Sequence, residues 1–151
     1  MMKKSFMPIA IDVYNRKILL IGGDRIAYHK IISLLPYANR IHVVAREVDP
    51  RIRALKEVTW QEKDYEANIL EGAFLVYACT NHHETNLRIK NDAQRKGILV
   101  NVVDTPAECD FVSPAIYRKE YLSIAVSSNG HDVLRSISVR NLIRRFFEIP
   151  N

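Results

Sequence analysis

The 151-residue sequence has only two cysteines, Cys79 and Cys109, and neither belongs to a C-x-x-C pair. A disulfide-stapled scaffold and a cysteine zinc site are therefore not expected. No uninterrupted apolar run reaches membrane-spanning length. The basic opening MMKKSFMPIAIDVYNRK has its apolar stretch broken by Pro8 and Asp12, too short for the h-region of a secretion signal, so a cytoplasmic location is the expectation. Basic stretches interleaved with aromatics, as in RNA-binding motifs, are missing too, as are internal repeats and low-complexity segments. Neither nucleic acid nor a membrane is an expected partner. What remains is 48% hydrophobic and 26% charged residues, the balance of an ordinary globular protein of one-domain length. The net charge of +5 and pI near 9.3 ask for an anionic partner, a polycarboxylate small molecule among the candidates.

Short apolar runs alternate with amphipathic stretches through the first hundred residues, the pattern of βαβ units in a parallel sheet. The spacing predicts strands at Ile18 to Ile21, Ile41 to Ala45, Val58 to Trp60, Ala73 to Cys79 and Ile98 to Val103. Helices are predicted from Arg25 to Leu35, before Pro36, and from Pro50 to Leu55 behind an Asp49 cap. A third is predicted over Asn81 to Lys96, ended by Gly97. Beyond Asp104 two strands, Ala115 to Arg118 and Tyr121 to Val126, flank a Lys119-Glu120 turn, and Asp132 caps a last helix. A hairpin and a lone helix cannot bury themselves, so this region is a candidate for pairing with a second copy of the chain. The expected division is a nucleotide-binding domain over 1–112 and a dimerisation region over 113–151.

KILLIGGDRIA, Lys17 to Ala27, has the layout of a dinucleotide-binding turn with one position altered. In G-x-G-x-x-G/A the first glycine makes the tight turn, the second admits the pyrophosphate, and the third small residue packs helix on sheet. Gly22 and Ala27 fill the outer roles, while Asp24 puts a carboxylate where a diphosphate would lie. A plain tight turn is the competing reading. Arg46 and Glu47 end the second strand, where an acid would hold a ribose 2′-hydroxyl or an arginine a 2′-phosphate; a solvated surface pair explains them equally well. Asp104 ends the fifth strand, at the edge where open α/β sheets bind ligands, and could handle a proton, although an Asp before Thr-Pro is also a common turn. His82 and His83 are adjacent and point apart, so no metal site is expected of them; capping by Thr80 or Asn81 accounts for that loop. Arg135, Arg140, Arg144 and Arg145 make the last helix basic, as a solvated face or to recognise carboxylates.

Four segments together resemble the siroheme synthase N-terminal domain family, that is, precorrin-2 dehydrogenase and sirohydrochlorin ferrochelatase. They are MPIAIDVYNRKILLIGGDRIAYHK, GAFLVYACTN, GILVNVVDTPAECDFVSPA and LSIAVSSNG. The resemblance implies an α/β fold: a Rossmann-type parallel sheet with an appended hairpin and helix that interlock with a partner chain in a homodimer. It implies NAD-dependent oxidation of precorrin-2 to sirohydrochlorin, with insertion of ferrous iron in some members. Asp104 falls on the family's catalytic carboxylate. The cofactor contacts it implies are Gly22, Gly23, Asp24, Arg25, Ile26, Arg46, Thr80, Asn81 and Val103. Ser127, Ser128, Asn129, Gly130 and His131 are implied for the tetrapyrrole, whose eight carboxylates would match the basic charge.

This chain departs from the family at three places. The family's triple glycine is Gly22-Gly23-Asp24, its serine-proline before the last helix is Asp132-Val133, and its leucine-alanine-arginine is not reproduced by Arg135-Ser136-Ile137. The sequence given also stops at Asn151, without the helical tail of many members. Two like charges about 4 Å apart repel by roughly 1 to 4 kcal/mol, an expected penalty on dinucleotide binding that Arg25 could partly offset. A chelatase without the redox step, and a non-catalytic tetrapyrrole- or nucleotide-binding module, are the alternatives that Asp24 keeps open.

Overall fold

The computed structural model describes residues 3–103 and 105–149 and divides into two compact units, 11–110 and 1–10 with 111–151. The catalytic candidate Asp104 lies outside the described residues. The division falls two residues before the expected domain boundary, and the first ten residues group with the hairpin and the last helix.

The larger unit is a five-stranded, all-parallel sheet in the order β3-β2-β1-β4-β5. Its strands are β1 (Lys17–Ile21), β2 (Ile41–Ala45), β3 (Val58–Glu62), β4 (Ala73–Ala78) and β5 (Leu99–Val102). Helices α1 (Arg25–Leu34), α2 (Pro50–Arg53) and α3 (His83–Arg95) lie in the connections. Ile18, Leu19, Leu20, Val43, Val76 and Val100 are fully buried, as expected of strands in a parallel sheet covered on both faces. Ala27 and Ile31 of α1, and Ile89 and Ala93 of α3, bury the helix stripes that face this core.

The predicted elements are present with shifted ends. The third strand runs two residues past Trp60, because Gln61 and Glu62 continue the parallel ladder with Val44 and Ala45 although both are exposed. Helix α2 stops at Arg53, α3 starts at His83, and Leu35 is the cap of α1. Two short 3₁₀ turns, Ala67–Leu70 and Pro106–Glu108, have no counterpart in the sequence reading.

In the smaller unit, β6 (Ala115–Lys119) and β7 (Leu122–Val126) form an antiparallel hairpin, followed by α4 (Val133–Glu148). Lys119 pairs with Leu122, so the turn is Glu120-Tyr121, one residue later than predicted, with Glu120 in the left-handed region at φ 53°. One side of α4 packs on the hairpin. Phe147 stacks on Tyr117 with ring centroids 5.8 Å apart, Arg140 Nη1 donates to the Ile116 carbonyl at 3.4 Å, and Ser136 is buried. No helix among the described residues is long and apolar enough to cross a membrane.

Candidate functional site

A cavity of about 530 Å³ opens at the carboxyl ends of β1, β2 and β4, between the Gly22-Gly23 turn, Arg46, Tyr65 and Asn81. In an open parallel sheet this edge, next to the first strand, is where ligands bind. A second cavity, about 180 Å³ and lined by Lys17, His42 and Gln61 among others, has neither the strand-end position nor a glycine turn, so the site is assigned to the larger one.

Both glycines of the turn are required by the chain's own packing. Gly22 has φ +123°, and a Cβ there would stand 2.3 Å from the Cys79 carbonyl oxygen. A Cβ on Gly23 would stand 2.6 Å from the Glu47 carbonyl oxygen and 2.8 Å from the Ala45 Cβ. The Gly23 carbonyl accepts from Asp49 N at 2.7 Å, tying the turn to the connection after β2. These contacts hold β1, β2 and β4 close enough to leave a cleft above their ends.

Asp24 is the N-cap of α1. Its Oδ1 accepts from Ile26 N at 2.9 Å and Ala27 N at 3.4 Å. The carboxylate thus takes the free amides that make a helix start attractive to anions. It does not turn toward Arg25, whose Nε donates to His29 Nε2 at 3.4 Å.

On the β2 side, Arg46 forms an ion pair with Asp64. Arg53 donates to the Val48 carbonyl at 2.8 Å and pairs with Glu62, which accepts from Val48 N at 3.1 Å. Asp49 accepts from both Nε and Nη2 of Arg51, at 3.0 and 2.7 Å. Those bonds, with the Arg51 backbone N–H, hold the Asp49 carboxyl down at about 2. On the β2 to β3 wall, three arginines are thus matched by three carboxylates.

On the β4 side, Thr80 is held by a residue the sequence reading missed. Asn86 is 5% exposed; its Oδ1 accepts from Thr80 N at 3.0 Å and from Thr80 Oγ1 at 2.6 Å, and its Nδ2 donates to the Thr80 carbonyl at 3.0 Å. The available signal was a polar residue at a position of α3 whose i+3 and i+7 neighbours, Ile89 and Ala93, are apolar. Thr80 Oγ1 also accepts from His82 N at 3.2 Å. His82 itself is the N-cap residue of α3 and makes no side-chain capping bond. Asn81 is exposed at the cleft.

Tyr65 and Arg88, also unforeseen, complete this wall. Tyr65 Oη donates to Asp92 Oδ2 at 2.9 Å, and the Arg88 guanidinium lies over the Tyr65 ring, 5.4 Å from its centroid. Burial, then the bond to Asp92, raises the phenol well above its usual range. Burial, with the Asp24 carboxylate nearby, pushes the Cys79 thiol up to about 12, so it is a neutral packing group. Cys109 Sγ accepts from Val102 N at 3.1 Å, fixing the chain just past β5. Val103 N donates to the Ala78 carbonyl at 3.0 Å.

The segment Ser127 to His131 belongs to the smaller unit and is described within it. Asn129 and Gly130 adopt φ 57° and 76°. Asn129 Oδ1 accepts from Phe6 N at 2.6 Å, and its Nδ2 donates to the Lys4 carbonyl at 3.2 Å. Ser128 Oγ accepts from Asp132 N at 2.9 Å. Ser127 and His131 are exposed.

Residues 9–115 match a family model described as putative NAD(P)-binding. The chain is 33% identical over 141 residues to siroheme synthase 1 of Aeromonas hydrophila, covering 91% of this chain and 30% of that protein. It is 34% identical over 129 residues to siroheme synthase of Actinobacillus pleuropneumoniae, covering 83% and 26%. It is also 33% identical over 137 residues to a probable multifunctional siroheme biosynthesis protein of Ruminiclostridium josui, covering 87% and 27%. The chain thus spans less than a third of these relatives. Among solved structures it is similar to SirC, a precorrin-2 dehydrogenase, with a TM-score of 0.81 at 22% identity over 95% of this chain and 71% of that one, a likeness of fold.

Proposed function

Because the chain belongs to the putative NAD(P)-binding family, we propose that it is an NAD-dependent dehydrogenase of siroheme biosynthesis that oxidises precorrin-2 to sirohydrochlorin. The observation that carries this reading is the cleft at the ends of β1, β2 and β4, opened by a turn in which neither Gly22 nor Gly23 has room for a Cβ. The residues present fit a dinucleotide. Thr80, fixed by Asn86, and Asn81 offer polar groups along one wall, and Glu47 offers a carboxylate near the end of β2. Arg46 pairs with Asp64 at the surface, and Glu47 beside it supplies the acid that suits a ribose 2′-hydroxyl, which supports NAD. At α1 a diphosphate meets the Asp24 carboxylate, and one side-chain rotation frees the two amides.

Bound there, an oxidised nicotinamide supplies the hydride acceptor, so that one precorrin-2 and one NAD⁺ give sirohydrochlorin, NADH and one proton. The role of Asp104 as the carboxylate that takes this proton rests on the resemblance of the NVVD segment. Ser127, Ser128, Asn129, Gly130 and His131, all in the smaller unit, are the substrate contacts proposed from the same resemblance. The unit's exposed apolar side chains, Tyr121 at 93% and Leu134 at 77%, support a homodimer, and a cytoplasmic location completes the proposal.

The test is calorimetric titration with NAD⁺, followed by the appearance of NADH absorbance when precorrin-2 is added. One observation favours a second reading, a chelatase or binding module without redox chemistry: the Asp24 carboxylate already fills the anion seat of α1. Failure to bind NAD(H) or NADP(H) at millimolar concentration would overturn the dehydrogenase reading and put the second one ahead.

A further inference from the structure

The larger unit is balanced in charge but not everywhere within itself. Residues 11–110 carry fourteen lysines and arginines against fourteen acidic residues, so the chain's +5 lies in the eight against three of residues 1–10 and 111–151. Six ion pairs are formed inside the neutral unit. Lys17 and Lys63 are left out of them and enter no ion pair among the described residues. Both line the smaller cavity, of about 180 Å³.

Strand alternation gathers this lining on one face of the sheet. Leu19, His42 and Thr59 stand side by side in the register, and residues two positions along a strand share a face, which adds Lys17 on β1 and Gln61 on β3. The chain keeps to the ladder as far as Lys63, whose N donates to the Ala45 carbonyl at 2.9 Å. Asn68 and Ile69 of the first 3₁₀ turn, then Glu71, complete the lining, and the Glu71 carbonyl accepts from Lys17 Nζ at 3.2 Å. His42 is half-buried among them. Its Nδ1 lies 2.7 Å from Thr59 Oγ1, which itself donates to the Ile41 carbonyl at 3.4 Å, so Nδ1–H donates and Nε2 takes any added proton. Burial, then the Lys17 ammonium, lowers the affinity of His42 for that proton, against a side-chain bond with Gln61 that raises it. Glu71 is the acidic member of the lining against two lysines, so the cavity is positive before His42 is charged and more so after.

We propose that this cavity is a second binding site, for a tetrahedral oxyanion of the sulfate or phosphate class, held by Lys17, Lys63 and His42 with the side-chain amides of Gln61 and Asn68. Its volume equals that of about six waters, enough for one such ion and far too little for a dinucleotide. Lysine is a point charge that suits an anion with oxygens on several sides, whereas paired recognition of a flat carboxylate calls for arginine. Among the described residues no arginine lines the cavity.

The probe is sulfate, titrated into the full chain against chloride at constant ionic strength and followed by the imidazole proton resonances of His42. Sulfate stays a dianion across the range in which histidine titrates, so any pH dependence belongs to the protein. The His42 signal should shift saturably, its pKa should rise with sulfate bound, and affinity should grow as the pH falls through that pKa. Lys17→Gln and the exposed Lys63→Gln should each weaken binding by about three- to tenfold, the worth of a charge-assisted bond discounted for exposure. Glu71→Gln should tighten it, and Lys56→Gln, which removes the same charge elsewhere on the unit, should match the wild type. Lys17 and His42 line this cavity and not the cleft, so their responses locate the anion whether or not NAD binds. Competition by glycerol phosphate as well as by inorganic phosphate assigns the site to the phosphoryl group of a larger molecule, and competition by inorganic phosphate alone to the free ion; both uphold the site. An unshifted His42 signal at tens of millimolar sulfate would overturn the proposal. So would equal affinity of Lys17→Gln, Lys63→Gln and Lys56→Gln for sulfate, or binding of acetate as tight as that of sulfate.

Discussion

Asp24 is an anion already seated where the cofactor's anion would go. Replacing it with glycine should tighten NAD binding by about ten- to a thousandfold, the range set by a like charge about 4 Å away. The same change should cost the unliganded protein only a few tenths of a kcal/mol, because glycine is a tolerable N-cap. Asp24→Asn should recover part of the affinity, since it keeps the cap and drops the charge. Calorimetry with NAD⁺ on the three proteins checks this, and equal affinities would mean that the pyrophosphate lies away from α1. Asp104→Ala should fold and bind tetrapyrrole but lose at least about a hundredfold in turnover, the low end for a general acid–base group; unchanged turnover would reduce Asp104 to a turn residue. The position of Asp24 was legible as an anomaly of the glycine turn, whereas its capping bonds to Ile26 N and Ala27 N were not anticipated. An aspartate directly before an amphipathic stretch is an N-cap signal in its own right, and here it coincides with a position of the glycine pattern. Asn86 stayed hidden because its partner, the Thr80 backbone, is known only once β4 and α3 are placed.

The strands were legible because parallel strands buried on both faces must be apolar along their length. The end of β3 was not, since Thr59 to Glu62 are exposed and are strand only because β2 supplies a ladder. The connections between elements show their stitching in side chains. Asn86→Ala leaves the Thr80 backbone groups without their side-chain partner, a loss of about 1–3 kcal/mol, and should weaken NAD binding by loosening that wall; a melting curve and a titration read the two effects. Asp49 gives α2 a pH signature. Its folded carboxyl sits near 2, below the usual 3.8. Its contribution is therefore fully present above the unfolded value and is lost as the pH falls from about 4 toward 2. Asp49→Asn should lower the melting temperature at neutral pH and flatten its acid limb in that window, so that variant and wild type converge toward pH 2.

For the whole molecule, light scattering at micromolar concentration should give twice the 17.4 kDa chain mass; a clean monomer would remove the interlocked arrangement. The parallel-sheet architecture was readable from the alternation of strand and helix patterns. The membership of the two units was not, because it depends on residues far apart in sequence. Likewise, the uneven share of charge could be counted only after the units were known.

Asn129 joins its loop to Phe6 and Lys4 at sequence separations of 123 and 125. During synthesis residues 1–10 are made before the rest of this sequence, yet they gain this anchor only after Asn129 has followed. The neutral sheet unit, contiguous from 11 to 110, has all its strands available before then. Closing so large a loop is entropically costly and slow compared with local pairing. Synthesis and assembly thus run in opposite orders for residues 1–10, which are made ahead of the sheet unit and anchored after it.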